Sequence, residues 1–190
     1  MQQCHENYGT WFCTIKRHDG TSGAVAALST ADVQRELLPS FTVNSTAGKI
    51  TELADEITAT ASEPGDQVQL ILDWLDENIQ KEVVDSFNSL DVLAQRKAEC
   101  QGHSMLFAAL ARSLGIPTRL INGVVYSQEY KGFLYHTWVE SYIDDQWQAI
   151  DPTFGQRHAD ATHIALIEGE ALADLTALLP LIGRLEIELE

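Results

Sequence analysis

The chain has 190 residues and a hydrophobic content of 45%, which suffices for one full core or for one core with an attached subdomain. Twelve lysines and arginines stand against 28 aspartates and glutamates, and the formal net charge of −16 argues against nucleic acid and anionic membrane surfaces as partners. No apolar segment approaches the length of about 20 residues that spans a bilayer, so no membrane insertion is expected. The polar start lacks the features of a signal peptide and is compatible with a fragment, so localisation and oligomeric state stay open.

The chain is predicted to divide into an N-terminal segment, 1–62, which packs on the core or precedes it, and a core, 63–190, that includes a C-terminal wrap. Hydrophobic patterning and turn residues place the first elements. These are a strand over 8–16 with a turn at Asp19-Gly20, a short helix from Ser29 or Thr30 to Leu38, and a helix over 48–60.

Three cysteines are too few for a disulfide framework, and the first two leave two interpretations open. Cys4 and Cys13 could pair in an oxidising compartment, which leaves Cys100 as the free thiol. They could instead join His5 and His18 in a zinc cluster, although the spacing matches no compact zinc knuckle.

Two helices are predicted ahead of Cys100. The sequence Ser62-Glu63-Pro64-Gly65-Asp66 is typical of a helix start, and apolar residues follow it at helical spacing as far as Ile79. The apolar face of this helix is expected to cover the core near the cysteine. Residues 89–98 are predicted to form a short helix or turn that leads the chain to Cys100.

A buried helix is predicted to begin at Cys100. Residues 105–114 are nearly all apolar, Gly115 can end the helix in the left-handed region, and Pro117 prevents continuation. The free N–H groups and the positive dipole end at the helix start favour a thiolate, and they could later hold an oxyanion. The carboxylate of Glu99 opposes this, because a neighbouring negative charge raises a thiol pKa. The alternative is an inert buried thiol.

After Pro117 the pattern changes from helix to sheet. In a hairpin that pairs Ile143 with Gln146, Asp151 lies diagonal to His136 on the same face, within about 8 Å at the Cβ atoms. A turn one residue earlier puts the two residues directly opposite, whereas a register shifted by one puts Asp151 on the other face. The predicted elements are a strand over 120–126 with a bulge at Gly123, a strand from Phe133 to Ile143, a turn at Asp144-Asp145, and a strand that ends at Asp151-Pro152.

Cys100, His136 and Asp151 together have the residue types of a thiol nucleophile, its base and the group that orients the base. His136 would take the thiol proton and return it to the leaving group, and Asp151 would fix the imidazole tautomer and stabilise its cationic form. Taken singly, His136 is explained as a core histidine and Asp151 as a turn residue before proline. Their joint occurrence with a cysteine at a helix start favours the catalytic hypothesis.

Further candidates surround these three residues. Gln101 or the Cys100 amide could donate to an oxyanion, while Trp138 is expected chiefly to pack. Tyr135, with the other aromatic residues around the 127–132 loop, could line a cleft for an acyl substrate or simply cap the sheet. Beyond this region, residues 154–156 and 160–163 are predicted to be loops, 168–179 to be helical, and 185–190 to form a half-exposed strand.

The segment from Trp74 to Thr153 resembles the core of the transglutaminase-like superfamily of papain-like thiol enzymes. In that pattern a Trp-bearing helix precedes a cysteine whose helix ends in LGIPTR, and a glycine-containing strand, a His-x-Trp-x-Glu strand and a Trp before Asp-Pro-Thr follow. The stretches AECQGHSMLFAALARSLGIPTR, YHTWVESY and DPTFGQ are similar to those of bacterial candidate cysteine proteases in this superfamily. One departure is Lys97-Ala98-Glu99, which stands where the family has a glycine-rich approach to the cysteine.

The resemblance implies an α+β fold, a transglutaminase-like or papain-like core whose nucleophile-bearing helix packs against an antiparallel sheet. It implies Cys100 as nucleophile, His136 as base and Asp151 as orienting group. The expected function is that of a thiol-dependent hydrolase or acyltransferase, acting on peptide or glutamine amide carbonyls through a Cys acyl-enzyme. A peptidase or amidase is favoured over a transglutaminase, because an acceptor amine needs a second site that the sequence does not identify. The expected partner is a protein or peptide substrate, and the alternative function is a non-catalytic binding or scaffolding module that keeps the fold.

A metal site is the rival use of the same residues. His103 lies three positions after Cys100 and could join Cys100, His136 and Asp151 around an ion, which would silence the thiol as a nucleophile. Nothing in the family resemblance supports this set. We therefore predict no metal and no cofactor.

Overall fold

The computed structural model describes residues 2–8, 10–15, 29–170, 172–181, 184 and 187. Helices and a four-stranded antiparallel sheet make up the fold, which confirms the predicted α+β class. The predicted turn at Asp19-Gly20 and most of the predicted strand at 185–190 lie outside the described residues. None of the helices in the described part of the chain is long and apolar enough to cross a membrane.

Before residue 118 the described chain is mainly helical, apart from a hairpin and one pair of very short strands. The predicted helices over 48–60 and up to Ile79, and the short helix within 89–98, are confirmed, whereas the helix predicted to reach Leu38 ends earlier. The elements are β1 (Gln2–Asn7), β2 (Thr10–Ile15), α1 (Thr30–Arg35), α2 (Gly48–Ile57), α3 (Pro64–Asn78), β3 (Gln80–Lys81), α4 (Ser89–Gln95), β4 (Lys97–Ala98) and α5 (Cys100–Ser113).

From residue 118 onward the chain is mainly sheet. The strands lie in the order β7-β6-β5-β8, and every neighbouring pair is antiparallel. The prediction of a loop over 160–163 is wrong at its last residue, because His163 begins an unpredicted fourth strand. The elements are β5 (Thr118–Ser127), β6 (Gly132–Ile143), β7 (Gln146–Ile150), β8 (His163–Glu168), α6 (Leu172–Leu175) and a 3₁₀ helix (Thr176–Leu181).

Helix α5 is the centre of the hydrophobic core. Its residues 102–112 are all buried, with α2, α3 and α4 packed around it and with β5 and β6 against its remaining side. Glu99 is its N-cap, and Gly115, with φ of +81°, follows its C-cap Leu114. The predicted helix, buried on nearly all sides and ended by glycine, is therefore confirmed. Burial of each large apolar side chain contributes roughly 1.5–3 kcal/mol, so this helix makes a large contribution to the stability of the core.

The hairpin of β6 and β7 has the register that places Asp151 on the predicted face. Ile143 pairs with Gln146 across a turn, 144–145, in which both residues have positive φ (53° and 61°). Two left-handed residues are typical of a type I′ turn, whose twist matches that of the two strands. The ladder ends at Ile150, so Asp151 lies one residue beyond it.

The predicted bulge at Gly123 is confirmed. The register between β5 and β8 shifts between Asn122 and Gly123. A Cβ atom at Gly123 would lie 2.1 Å from the carbonyl oxygen of Ile164 and 2.8 Å from Cη2 of Trp138. The bulge therefore requires glycine, because any side chain would collide with the backbone of β8.

Cys4 and Cys13 lie opposite each other in the β1–β2 hairpin and form a disulfide. The zinc-cluster interpretation is therefore wrong for these two cysteines, because their sulfur atoms are bonded to each other; His18 lies outside the described residues. The single strand predicted over 8–16 is partly wrong, since Tyr8 occupies a turn and a first strand precedes it.

Two side chains tie the N-terminal hairpin and the C-terminal residues to the core. The amide of Gln2 donates to the carbonyl oxygen and accepts from the N–H of Ala165, each at 2.9 Å. The buried guanidinium of Arg112 donates to two backbone carbonyls and to the carboxylate of Glu170. Although α2 precedes residue 62, it contributes buried side chains to the same core as α5, and the domain boundary at residue 62 stays a prediction.

Candidate active site

Cys100 is the first residue of α5, directly after the N-cap Glu99. The Glu99 carboxylate accepts hydrogen bonds from the backbone N–H groups of Gln101 (2.8 Å) and Gly102 (2.9 Å). Its Oε2 atom also accepts from the Cys100 thiol at 3.4 Å. Glu99 therefore occupies two of the amides that were expected to stabilise a thiolate or an oxyanion.

These surroundings favour the neutral thiol of Cys100. Burial raises its pKa, and the negative charge of Glu99 raises it further, so that it reaches about 12 despite hydrogen bonds from the backbones of Thr137 and Gln101. The expected opposition of Glu99 is confirmed, and it outweighs the expected effect of the helix start because the carboxylate already uses two of the helix N–H groups. A base must take the proton before the sulfur can act as a nucleophile.

His136 and Asp151 form a buried hydrogen-bonded pair. Nε2 of His136 lies 2.7 Å from Oδ2 of Asp151, which is fully buried. The other oxygen, Oδ1, accepts from the backbone N–H groups of Thr153 (2.8 Å) and Phe154 (3.1 Å). Burial alone would raise the pKa of Asp151, but hydrogen bonds from His136 and His163 hold it well below its usual range. The ionised carboxylate accepts from Nε2–H, which leaves Nδ1 of His136 as the proton-accepting nitrogen.

The N-terminus of α5 meets β6 beside His136. Strand β7 pairs with β6 only between Val139 and the turn, so β7 does not cover the edge of β6 at Thr137. Ser104, one helical turn after Cys100, donates to the carbonyl oxygen of Thr137 at 3.1 Å, and the backbone of Thr137 hydrogen-bonds the Cys100 sulfur. Helix α5 thus covers this edge and brings the cysteine next to the residue that follows His136.

A second histidine, His163, binds the same carboxylate oxygen of Asp151. Its Nε2 lies 2.9 Å from Oδ2 of Asp151, and its Nδ1 lies 3.2 Å from Oδ1 of Asp160. Burial would lower the pKa of His163, but the two carboxylates raise it above its usual value. The local sequence offers no signal for this residue beyond an aspartate three positions earlier, because the contact depends on the pairing of β8 with β5.

Of the other predicted site residues, Tyr135 and Gln101 flank the cysteine. Tyr135 is 47% exposed, and its hydroxyl donates to Oδ1 of Asn122 at 2.8 Å. Partial burial raises the pKa of its phenol, and the neighbouring Cys100 and Glu99 raise it further. Gln101 is half-buried, and its backbone N–H already binds Glu99.

Two aromatic rings stack with His136. Phe154 lies parallel to the imidazole, with ring centroids 4.8 Å apart and an interplanar angle of 8°, and it is 51% exposed. The ring centroid of Trp138 lies 6.3 Å from that of the His136 imidazole, and Trp138 is only 2% exposed. It therefore packs as expected and offers no surface to a substrate. Phe154, which was not predicted, shields the imidazole from solvent.

The metal set considered from the sequence is not assembled. His103 is fully buried, and its Nδ1 lies 2.9 Å from the carbonyl oxygen of Glu99, one turn earlier. Within the described part of the chain, His136, Asp151 and His163 do lie close enough together for an ion to be considered. Nε2 of each histidine also lies within hydrogen-bond distance of the Asp151 carboxylate. Hydrogen bonding is sufficient to explain why these three side chains lie together, and the absence of a metal stays a prediction.

The fold and the geometry of the site together define a class, the papain-like α+β fold with a cysteine at a helix start and a histidine–aspartate pair on an antiparallel sheet. Residues 51–152 match the sequence profile of the transglutaminase-like superfamily. The match covers more than half of the chain, and the protein belongs to the transglutaminase-like superfamily. The predicted family and fold are thereby confirmed.

Curated relatives and solved structures are both similar to this chain. Kyphoscoliosis peptidase of Mus musculus is 25% identical over 128 residues, which are 60% of this chain and 19% of the relative. The Homo sapiens protein of the same name is 24% identical over 126 residues, or 58% of this chain and 19% of the relative. The chain therefore spans about a fifth of the length of these relatives.

Among solved structures, a candidate cysteine protease from Cytophaga hutchinsonii has a TM-score of 0.66 and 25% identity. The likeness covers 77% of this chain and 50% of that one. The periplasmic domain of TgpA from Pseudomonas aeruginosa has a TM-score of 0.53 and 21% identity over 68% of this chain and 49% of its own. The second likeness supports the fold alone.

Proposed function

We propose that this protein is a thiol-dependent enzyme that transfers an acyl group from an amide carbonyl, with Cys100 as nucleophile, His136 as base and Asp151 as the group that orients the base. The observation that supports this most directly is the buried hydrogen bond of 2.7 Å between His136 and Asp151. It lies at the part of β6 that contacts the first turn of α5, where Cys100 begins the helix. The membership of the superfamily agrees with this assignment.

In the proposed reaction, Nδ1 of His136 takes the thiol proton while the sulfur of Cys100 attacks the amide carbonyl carbon. The C–N bond breaks, the nitrogen leaves with the proton that His136 returns, and a thioester remains on the cysteine. Water then gives a proton to the same imidazole and attacks the thioester, which releases the acid and restores the thiol. Asp151 stabilises the imidazolium at each stage.

We favour hydrolysis of a protein or peptide over transfer to an amine. Transfer to an amine would require a second binding site next to Cys100, whereas water needs none. The likeness to kyphoscoliosis peptidase and to the Cytophaga hutchinsonii protein points in the same direction. The backbone amide of Cys100 is the proposed oxyanion donor, because the amide of Gln101 is bound to Glu99, and Tyr135 is proposed to line the substrate cleft.

A non-catalytic binding or scaffolding module is the second candidate function. The observation that favours it is the contact between the Cys100 thiol and the Glu99 carboxylate, which raises the pKa of the thiol. A site that has lost its activity would retain the fold while its thiol stayed protonated and unreactive.

The experiment that separates these two functions is the rate of iodoacetamide labelling of Cys100 across pH. Cys100 is the free thiol in this chain, because Cys4 and Cys13 are bonded to each other. We expect His136→Gln to slow labelling near neutral pH by at least about tenfold, since the imidazole no longer takes the proton. His158→Gln, a histidine exchange at an exposed position, serves as the matched control and should label like the parent.

A peptide library with a mass-spectrometric readout then identifies the reaction. If the parent is a hydrolase, it yields peptide fragments or deamidated peptides, and Cys100→Ser yields neither. If the parent is a transferase, it yields amine adducts of the peptides when an amine is added. Equal labelling of the parent and of His136→Gln, together with no product from the library, would rule out the enzyme and favour the binding module.

A further inference from the structure

The carboxylate of Asp151 accepts hydrogen bonds from two histidines, whereas the proposed reaction requires only one. Its Oδ2 atom accepts from Nε2 of His136 at 2.7 Å and from Nε2 of His163 at 2.9 Å. Its Oδ1 atom is taken by two backbone N–H groups. Four donors therefore satisfy the fully buried carboxylate. The negative charge that would stabilise a protonated His136 is thus divided between two rings.

His163 lies between two carboxylates. Its Nδ1 atom lies 3.2 Å from Oδ1 of Asp160, an oxygen that also accepts the backbone N–H of Thr162 at 2.9 Å. A ring that donates from both nitrogens to carboxylates carries a positive charge. His163 is 6% exposed, so solvent screens this charge only weakly.

The charged and titratable groups around His163 come from several elements. Asp160 precedes it in its own segment, Asp151 follows β7, and the imidazole of His136 on β6 lies 5.7 Å away between ring centroids. Glu140 of β6 and His158 line the same cavity as His163. The carboxylate of Glu140 is already paired with Arg119 at 2.7 Å. Asp151 is the charged group that hydrogen-bonds both His163 and His136.

We propose that His163 is a positioning residue that sets the proton affinity of His136 through the carboxylate oxygen that the two histidines share. The proposal rests on the proposed function, in which His136 is the base. The positive ring of His163 neutralises part of the charge of Asp151, so His136 holds a proton less tightly. Its imidazole then stays neutral, and able to accept the thiol proton, at a lower pH than it would beside an unshared carboxylate.

The test is the pH dependence of iodoacetamide labelling in the full chain. Labelling assisted by neutral His136 rises with pH as the imidazole loses its proton. Glutamine at position 163 keeps an N–H donor for Asp151 and removes the positive charge. We expect His163→Gln to move the midpoint of this rise upward by about half to one pH unit, with a similar plateau rate. His158→Gln, an exposed histidine of the same cavity, should keep the midpoint of the parent.

The outcomes separate this proposal from the proposed function. If His136→Gln labels like the parent at every pH, the proposed function fails. If His136→Gln is slow but His163→Gln keeps the midpoint of the parent, or lowers the rate equally at all pH values, His163 has only a structural role and the present proposal is overturned. If His163→Gln does not fold, nitrogen NMR of the parent decides, because the proposal requires both ring nitrogens of His163 to be protonated throughout the pH range in which His136 titrates.

Discussion

Replacing Glu99 with serine is expected to make Cys100 more reactive. The carboxylate oxygen lies 3.4 Å from the sulfur. A carboxylate and a thiolate at such a distance repel by about 1 kcal/mol even at the dielectric constant of water, and by more inside a protein. Since one pKa unit corresponds to about 1.4 kcal/mol, loss of the charge should lower the pKa of the thiol by about one unit or more. Serine is itself a good N-cap, so the stability of α5 should fall by less than about 1 kcal/mol.

The assay is the second-order rate of iodoacetamide labelling at a fixed pH near 7.5, where the rate follows the fraction of thiolate. We expect an increase of about tenfold in Glu99→Ser. Glu63→Ser is the matched control, because Glu63 is also an N-cap glutamate but its side chain caps no N–H group. An unchanged or slower rate in Glu99→Ser, with an unfolding temperature like that of the parent, would refute the inference that Glu99 holds the thiol neutral.

Three further predictions concern stability. Gly123→Ala should lower the free energy of unfolding by about 2–4 kcal/mol in urea denaturation, because the new Cβ atom meets the carbonyl of Ile164 at 2.1 Å; unchanged stability would contradict the close approach. Arg112→Ala should cost about 3–5 kcal/mol by the same measurement, since it leaves the carboxylate of Glu170 and two carbonyls without their buried donor. Asp151→Asn should be destabilising at neutral pH by about 2–4 kcal/mol. The pKa of Asp151 is lower in the folded chain, so its contribution is present above about pH 4 and is lost as the pH falls further. The difference in the free energy of unfolding between the parent and Asp151→Asn should therefore become smaller as the pH falls. A difference that does not change with pH would contradict an ionised Asp151.

Local patterns sufficed to predict the elements that carry Cys100, His136 and Asp151. The apolar run from Met105 is long enough for a helix, and the glycine and proline after it mark where the helix ends. The β6–β7 hairpin follows from alternation and from a two-residue turn, whereas the choice among the possible registers came from the structure, which pairs Ile143 with Gln146. Both elements are defined by contacts between residues close in sequence, which is why a single chain reveals them.

The contacts that modify the site could not be predicted in the same way. Strand β8 pairs with β5 across a long separation in sequence, and His163 reaches Asp151 only because of that pairing. The sequence indicates that Glu99 raises the pKa of the Cys100 thiol, but it does not indicate by how much. Its charge was visible from the sequence, whereas its capture of the helix N–H groups and the burial of Cys100 depend on the packed structure.

The position of Cys100 beside the residue that follows His136 has a physical cause in the sheet itself. Because β7 ends at Ile150, it does not reach Thr137 on β6. The backbone N–H and C=O groups of Thr137 therefore have no strand partner on that edge. Buried N–H and C=O groups need partners, and the first turn of α5 supplies them through Ser104 and Cys100. The same short strand lets the chain turn at Asp151, whose carboxylate then reaches the histidine that precedes Thr137. A longer β7 would satisfy Thr137 with a strand partner, so we infer that the length of this strand decides whether the first turn of α5 can bind the backbone next to His136.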